Sequence, residues 1–534
     1  MDAATDNKSN SDKPHYGPSG SSSNSQHNNT IGVAALCLCS LANAFVMISA
    51  FPYNGYMVLT LLPGTTPETA GPYTGFLAAS FMAGRVVTAY EWGRVADKYG
   101  RILCLQASMI LSAVFSILFG MAQSYNMAIF WRCCLGMVNA VASTSKTLAS
   151  EMSHGDELLE RRAMGLVIGM RSWGMLLGPA IGGLLAEPQT QYPQTMWFQS
   201  GWRKRLLETY PFLLPNLVVA ICCLGGAISA TWFIEETLTS SERLTPRTAF
   251  QDLFHGLSGC WMTISQLWRS PRAPRGGEES QVLLPNEDPI DSSILESPSS
   301  PPEVSIWSRK TTRNHLIAHW VFSFVVVVID EAFPLFCMST VGGLSLEEAS
   351  IGQILSMAGL FFAVCQYVVY ATIVDRCGLY PSIELGCLFG LLPATLIPLA
   401  KIWMEEQRPW WLVFGLLGIL LGACKIFTCM CFASLAIATN KTVPASQRAK
   451  TNGLVLVGGS VTKGLGPIVA GVLVTVSFSP RGLVPAEYGS VAIFGTVGII
   501  GVLVSTFIWR LKYTTDSVFA KPRRVELEPP PAGA

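Results

Sequence analysis

Trp92-Gly93-Arg94-Val95-Ala96-Asp97-Lys98-Tyr99-Gly100-Arg101 is the stretch from which the rest of the chain is oriented. An apolar run of membrane length, 71–90, leads into it, and another, 102–122, leaves it. Charged residues and two glycines caught between such runs predict a tight turn at a membrane face. Arg94, Lys98 and Arg101 place that face on the cytoplasmic side, because basic residues accumulate in cytoplasmic loops. Gly93 and Gly100 permit a sharp reversal without a Cβ clash. Asp97 is suited either to cap a helix N-terminus or to pair with a neighbouring Arg.

Working outward, the chain has 534 residues, 50% hydrophobic and only 13% charged. Soluble proteins carry roughly twice that charge fraction, so a membrane protein is indicated. A net charge of +1 gives no reason to expect a nucleic-acid partner. Residues 1–30 are polar and rich in Ser, Asn, Gly and His, which predicts a disordered cytoplasmic N-terminus without a secretory signal. Apolar runs able to cross a bilayer then fall near 31–59, 71–91, 102–122, 126–148, 163–185 and 211–234. A second set falls near 314–340, 350–373, 379–400, 410–437, 452–476 and 488–511. The reading is an all-α membrane protein with twelve transmembrane helices. It divides into a six-helix bundle over 31–234, a central cytoplasmic loop over 235–313, a second bundle over 314–511 and a cytoplasmic tail over 512–534.

The central loop is rich in Ser and Pro, with Ser270-Pro271, Ser297-Pro298 and Ser300-Pro301 as possible phosphorylation sites. Within it Phe250, Leu253, Phe254, Leu257, Trp261, Ile264, Leu267 and Trp268 fall at helical spacing. That stripe fits an amphipathic helix on the inner membrane surface or one packed under the bundle; the residues do not choose. Most of the fifteen cysteines sit inside apolar runs, where they read as reduced packing residues. No CxxC pair has a distant partner pair, so no metal site is expected.

Two internal echoes carry the architecture. Gly165-Leu166-Val167 precedes Gly178-Pro179-x-x-Gly182-Gly183, and at the same offset Gly453-Leu454-Val455 precedes Gly466-Pro467-x-x-Ala470-Gly471. Asp97-Lys98-Tyr99-Gly100 is answered by Asp375-Arg376-Cys377-Gly378. Helices 2 and 5 therefore correspond to helices 8 and 11, giving two six-helix pseudo-repeats in parallel orientation. Such halves enclose a midplane cavity and rock about it.

Charge inside a span is costly and usually functional. Asp330-Glu331 lies midway along helix 7 before Pro334, and adjacent helical residues diverge by 100°, so only one of them should face the interior. That acid could exchange protons, or it could be a structural acid paired with Lys425 or Lys463. Arg132-x-x-x-Gly136-x-x-x-Ala140 sets a guanidinium and two small residues on one face of helix 4, the alternative being an Arg that snorkels to the interface. Arg85 and Glu91 lie on helix 2, and Arg85 could meet a substrate carboxylate or form a helix-end ion pair. Lys146, Glu151, Arg171 and Lys463 are expected in gating ion pairs near helix ends. Lys425, between Cys424 and Ile426 in helix 10, is more deeply placed and less easily explained by snorkelling. Gly174-x-x-x-Gly178-Pro179-x-x-Gly182-Gly183 combines close helix contact with a proline kink.

The spacing Gly93-x-x-x-Asp97-Lys98-x-Gly100-Arg101 resembles the loop between helices 2 and 3 of the major facilitator superfamily. With Trp92 in front it is most similar to the zinc-induced-facilitator-like branch. The resemblance covers about residues 31–515 and implies a gating role for Gly93, Asp97, Lys98, Gly100, Arg101, Asp375 and Arg376. It also implies proton coupling through Arg132 and an antiporter reading of the helix 5 glycines, with Gly466 and Pro467 as their second copy. That branch exports metal chelators, metal ions, potassium or hormone-like acids from vacuolar or plasma membranes. Two departures stand out: Ile102 occupies the place of a basic residue, and Cys37-Leu38-Cys39 replaces a Cys-Pro-Gly-Cys. With His255 alone in the central loop, zinc is disfavoured as a direct substrate.

These readings lead to a monomeric secondary transporter in the lipid bilayer, of the plasma membrane or an endomembrane. It exchanges a small solute for protons and needs no cofactor, its coupling residues being Asp330, Glu331, Arg132, Arg85 and Lys425. The solute is an organic acid, a metal chelator or its complex, or a drug-like compound. No phosphate-binding loop of the Gly-x-x-x-x-Gly-Lys-Ser/Thr kind is present, so ATP does not drive it. A non-transporting sensor on the same fold, a symporter and a uniporter are the alternatives. No nucleophile elbow or paired catalytic site suggests an enzyme.

Overall fold

A computed structural model describes residues 22–238 and 306–519, apart from 154, 155, 200, 445, 446, 480, 481 and 483. The expected helix over 250–268, the three Ser-Pro sites and the terminal segments 1–21 and 520–534 lie outside the described residues. Everything regular among the described residues is helical. The long helices are α1 (Ser22–Ile48), α2 (Gly71–Tyr99), α3 (Arg101–Gly120) and α4 (Tyr125–Met137, resuming as Val141–Glu151). They continue with α5 (Glu157–Leu185), α6 (Leu213–Phe233), α7 (Lys310–Met338) and α8 (Glu348–Cys377). Last come α9 (Leu379–Leu391), α10 (Trp410–Lys441), α11 (Arg448–Phe478) and α12 (Gly489–Phe519).

Eleven helices among the described residues are long and apolar enough to cross a membrane. The twelfth, α2, is 29 residues long but less apolar, being interrupted by glycines, threonines and Arg85. In lipid, helices associate through close packing and internal polar contacts rather than through hydrophobic burial, which favours small residues at crossings. Gly84 and Gly136 show this: a methyl group on Gly84 would press on the Cys133 carbonyl carbon at 3.0 Å, and one on Gly136 would lie 2.8 Å from the Phe81 carbonyl carbon, so α2 and α4 cross backbone to backbone.

The pairing of helices obeys the sequence repeat. In the first half α1 packs on α5, α2 on α4 and α3 on α6; in the second, α7 packs on α11, α8 on α10 and α9 on α12. The halves meet chiefly where α2 lies against α11 and α5 against α8. Exchanging α2 with α8 and α5 with α11 turns one contact into the other, as a two-fold arrangement of parallel repeats requires. Each half has its own apolar centre, with Leu36, Phe45, Leu105 and Met109 in one and Phe322, Phe336, Leu417 and Phe494 in the other.

Four expectations need correction. The Trp92–Arg101 stretch is not a loop: α2 runs on through Tyr99, and Gly100 alone makes the turn. Trp92, Val95, Ala96 and Tyr99 recur at helical spacing and are buried, and that packed face carries the helix past the expected boundary. α1 begins at Ser22, inside the segment expected to be disordered, and stops at Ile48 near Pro52; a separate helix then spans Asn54–Leu61. Helix 4 is broken at Val138–Ala140, so Ala140 does not continue the face of Arg132 and Gly136. The ninth span breaks near Pro393 and Pro398 into a 3-10 turn and the short helix Leu399–Glu405. Pro179, Pro334 and Pro467, by contrast, sit inside continuous helices.

Candidate functional site: the charged interior between two glycine seams

Gly100 has φ +109° and ψ 150°, a region that glycine alone enters without strain, and closes α2 while opening α3. Its repeat partner Gly378 does the same between α8 and α9, at φ +83°. The first turn of α3 is capped from a distance: the Glu236 carboxylate accepts the backbone N–H of Arg101 at 2.9 Å and of Ile102 at 3.0 Å. Arg101 pairs with Glu151 at 3.0 Å and with Asp97 at 3.1 Å. Asp97 therefore takes the second of its two expected roles. Its side chain is 72% exposed. Glu91 pairs with Arg94 at 3.0 Å. Gly93 has open space around it, Arg376 is exposed, and the side chain of Asp375 lies outside the described residues.

Trp92 is an anchor. Its indole N–H donates to the Met137 carbonyl at 2.7 Å, as does the Thr88 hydroxyl at 2.6 Å. Ser108 completes the repair of the α4 break, donating to the Val138 carbonyl at 2.5 Å and accepting from the Ala140 N–H at 3.0 Å. Asn139 donates to Asn43 at 2.6 Å. Backbone groups freed inside a membrane protein must find such partners, and neighbouring helices supply them here. Sequence reading missed Ser108, Thr88, Asn43 and Glu236, since no local pattern marks a residue whose partner is a backbone group on another helix.

The face bearing Gly100 and Gly378 is called the turn face, and the opposite one the far face. At the far face the halves touch. A methyl group on Gly183 of α5 would lie 2.9 Å from the Gly352 Cα of α8, and one on Gly471 of α11 would collide with the backbone of Gly71 on α2. Glu68 accepts a hydrogen bond from the Thr340 N–H at 3.1 Å and another from its hydroxyl. Toward the turn face the same helix surfaces are free. Gly165 and Gly453 stand eighteen residues, five turns, before Gly183 and Gly471, and a methyl group on either would meet nothing within 4 Å. Gly174 and Gly178 face Ala44 and Ile48 of α1, Gly182 meets the Ser49 backbone, and Gly466 meets Val327 of α7. These glycines thus pack helix to helix within each half, while Gly183 and Gly471 form the seams between halves.

The intramembrane charges converge between the seams. Asp330 on α7 and Lys425 on α10 form an ion pair, both side chains partly open to the interior. Arg85 on α2, Lys146 on α4, Arg171 on α5 and Lys463 on α11 lie within one another's electrostatic reach, and Asp330 reaches Arg171. None of these four has an ion-pair partner among the described residues. The helix-end pair that was one of the two readings of Arg85, and the gating pairs expected for Lys146, Arg171 and Lys463, are therefore absent among the described residues, because the topology turns all four toward the same interior space. Glu151 does form the expected pair, with Arg101.

Arg132 does not snorkel. It is 5% exposed, held between Phe81 and Phe119 at 5.0 and 5.2 Å from the ring centres, and donates to the Val46 carbonyl at 3.3 Å. Glu331, 8% exposed, lies within its electrostatic reach from the other half and lines a small enclosure with Asn54, Tyr56 and Thr74. Of the adjacent acids, Asp330 therefore faces the open interior and Glu331 the closed end beneath the far face.

This geometry has known counterparts. The sequence model of the Major Facilitator Superfamily matches residues 36–428 and, in a second match, 316–532. The chain belongs to the major facilitator superfamily. A probable peptide/nitrate transporter of Arabidopsis thaliana is 30% identical over 82% of this facilitator and 81% of its own length. The protein ZINC INDUCED FACILITATOR 1 of the same plant is 27% identical over 87% and 88% of the two chains, in keeping with the branch that Trp92-Gly93 resembles. Among solved structures, a POT family transporter in complex with a thioalcohol-conjugated peptide superposes with a TM-score of 0.58 at 12% identity, over 90% of this facilitator and 96% of that chain. This facilitator is a multi-pass integral membrane protein of a transporter family rather than an enzyme.

Proposed function

We propose that this facilitator moves a small solute across its membrane by alternating access and exchanges it for protons, with the turn face toward the cytosol. One observation carries the reading. Repeat-equivalent glycines are jammed at the far face, Gly183 and Gly471, and free at the turn face, Gly165 and Gly453. Two rigid halves that rock about the interior would exchange those conditions, opening one face as the other closes. The interior between the seams holds the charges that a solute would meet on either side.

Proton exchange is assigned to Asp330 and Glu331. Asp330 shares the interior with Lys425, and protonating it would release that ion pair. Glu331 sits opposite the buried Arg132 at the contact between halves, where its charge would depend on whether the far face is closed. The basic residues of the turn support a cytosolic turn face.

Solute flux into proteoliposomes, with and without an imposed pH gradient, tests the reading. Flux should follow the gradient and lose that dependence in an Asp330→Asn/Glu331→Gln variant. Flux indifferent to both would remove the coupling and leave a uniporter; binding with no flux in either direction would favour the sensor alternative.

A further inference from the structure

We infer that Arg85, Lys146, Arg171 and Lys463 form the binding site for a small organic anion carrying at least two carboxylates. The assignment deepens the transport proposal, on which it rests. Four helices, α2, α4 and α5 of the first half and α11 of the second, aim four cationic side chains at one interior space. Lys146, Arg171 and Lys463 are exposed there, although Arg171 and Lys463 lie in the middle of their helices. Like charges gathered in a medium of reduced polarity repel strongly, and desolvation adds to the cost. A structural role would call for carboxylates close by. Asp330 is the acid whose field reaches Arg171, and it is already paired with Lys425. The cluster thus keeps an uncompensated positive charge that a bound polyanion would neutralise.

The side chains beside the cluster fit such a guest. Guanidinium groups take carboxylates through two parallel hydrogen bonds, and the lysines supply mobile point charges. His319 on α7, within electrostatic reach of Lys463, buries an Nδ1 that has no hydrogen-bond partner among the described residues. Ser172, next to Arg171, accepts from Gln366 of α8 at 2.7 Å, and Thr462, next to Lys463, donates to Ser323 of α7 at 3.3 Å. Those contacts fix the two cation-bearing helices against the opposite half and against α7. Because α2 and α5 belong to one half and α8 and α11 to the other, an anion bridging Arg171 to Lys463 would touch both halves at once. It would thereby favour their closure around it.

Calorimetric titration and thermal shift of the purified full chain in detergent test the site, with citrate and succinate as probes and tetraethylammonium as the cationic control. Citrate should bind more tightly than succinate and raise Tm, and its affinity should fall as salt rises. Arg171→Gln and Lys463→Gln should each weaken citrate at least ten-fold, while Arg171→Lys and Lys463→Arg recover part of the loss. Lys204→Gln, in the short helix Gly201–Thr209 between α5 and α6, should leave binding unchanged. Should the glutamine variants not fold, the salt dependence and the lysine–arginine exchanges decide alone. Unchanged citrate affinity in folded Arg171→Gln and Lys463→Gln, or saturable binding of tetraethylammonium but not citrate, would overturn the site. Inorganic phosphate displacing citrate at equal affinity would also overturn the carboxylate assignment. Citrate binding without flux in proteoliposomes would instead defeat the transport proposal and leave the anion site standing.

Discussion

The Glu68 carboxylate of one half accepts both the backbone N–H and the hydroxyl of Thr340 in the other, latching the far face shut. Burial pushes the Glu68 carboxyl up, but the hydrogen bonds from Thr340 and Thr66 outweigh it and hold the group below its ordinary 4.5. A depressed folded value means that the latch is at full strength above pH 4.5 and is lost as pH falls through the folded value. Thr340→Ala should weaken closure by about 0.5 kcal/mol, the low end for an exposed hydrogen bond, or roughly two-fold in the open-to-closed ratio. Spin labels at Pro63→Cys and Val341→Cys would report a larger open fraction, and a matching rise on acidifying the parent below pH 4.5. An unmoved distance distribution would show that the latch carries no load.

The seams give opposite signs at opposite faces. Gly183→Val and Gly471→Val should stop the far face from closing, because their side chains would enter the backbone of α8 and α2. Gly165→Val and Gly453→Val should leave the described conformation intact, and yet stop flux by blocking closure of the turn face. The same label pair distinguishes them: longer distances in the first two variants, parental distances in the second two. Parental flux in Gly165→Val would remove that position from the moving contact.

The two repeat turns differ in one measurable way. Gly100→Ala and Gly378→Ala each force a residue with a Cβ into a glycine conformation, at about 1–3 kcal/mol. Gly100 has an additional cost, since its new methyl group would strike Glu236 while Gly378 faces open space. Gly100→Ala should therefore lower Tm more than Gly378→Ala. Glu236→Ala should cost about 1 kcal/mol for the lost cap. Equal Tm values for the two alanine variants would refute the contact with Glu236.

Asp330 and Lys425 should behave as one unit. Lys425→Ala strands a carboxylate in the interior, whereas Asp330→Asn/Lys425→Ala strands none. The double variant should therefore be the more stable in detergent, with a coupling of about 1–2 kcal/mol between the sites. Additive losses in Tm would mean that the pair contributes nothing in solution.

Much of this architecture was legible in the chain because it is written in periodic signals. Apolar length gave the spans, and the copy of 165–183 at 453–471 gave the two-fold relation that the α2–α11 and α5–α8 contacts obey. Bilayer thickness and backbone satisfaction impose those signals on every span, whatever its neighbours. The Asp97–Arg101 pairing was within reach for the same reason, since i and i+4 share a helix face.

Tertiary structure alone decided what the intramembrane charges do. Lys146, Arg171 and Lys463 read locally as halves of gating ion pairs, and Arg85 as either a carboxylate ligand or half of a helix-end pair; placed on four helices that converge, they became one cationic cluster. Arg132 read locally either as a guanidinium sharing a face with Gly136 or as an Arg snorkelling to the interface, and its enclosure by Phe81 and Phe119 decided between the two. Which face is closed, and that Trp92, Ser108 and Glu236 serve backbone groups on other segments, likewise depended on distances between residues far apart in sequence. Periodicity fixes which way a residue faces on its own helix, but the energy of a buried charge depends on what faces it from the others.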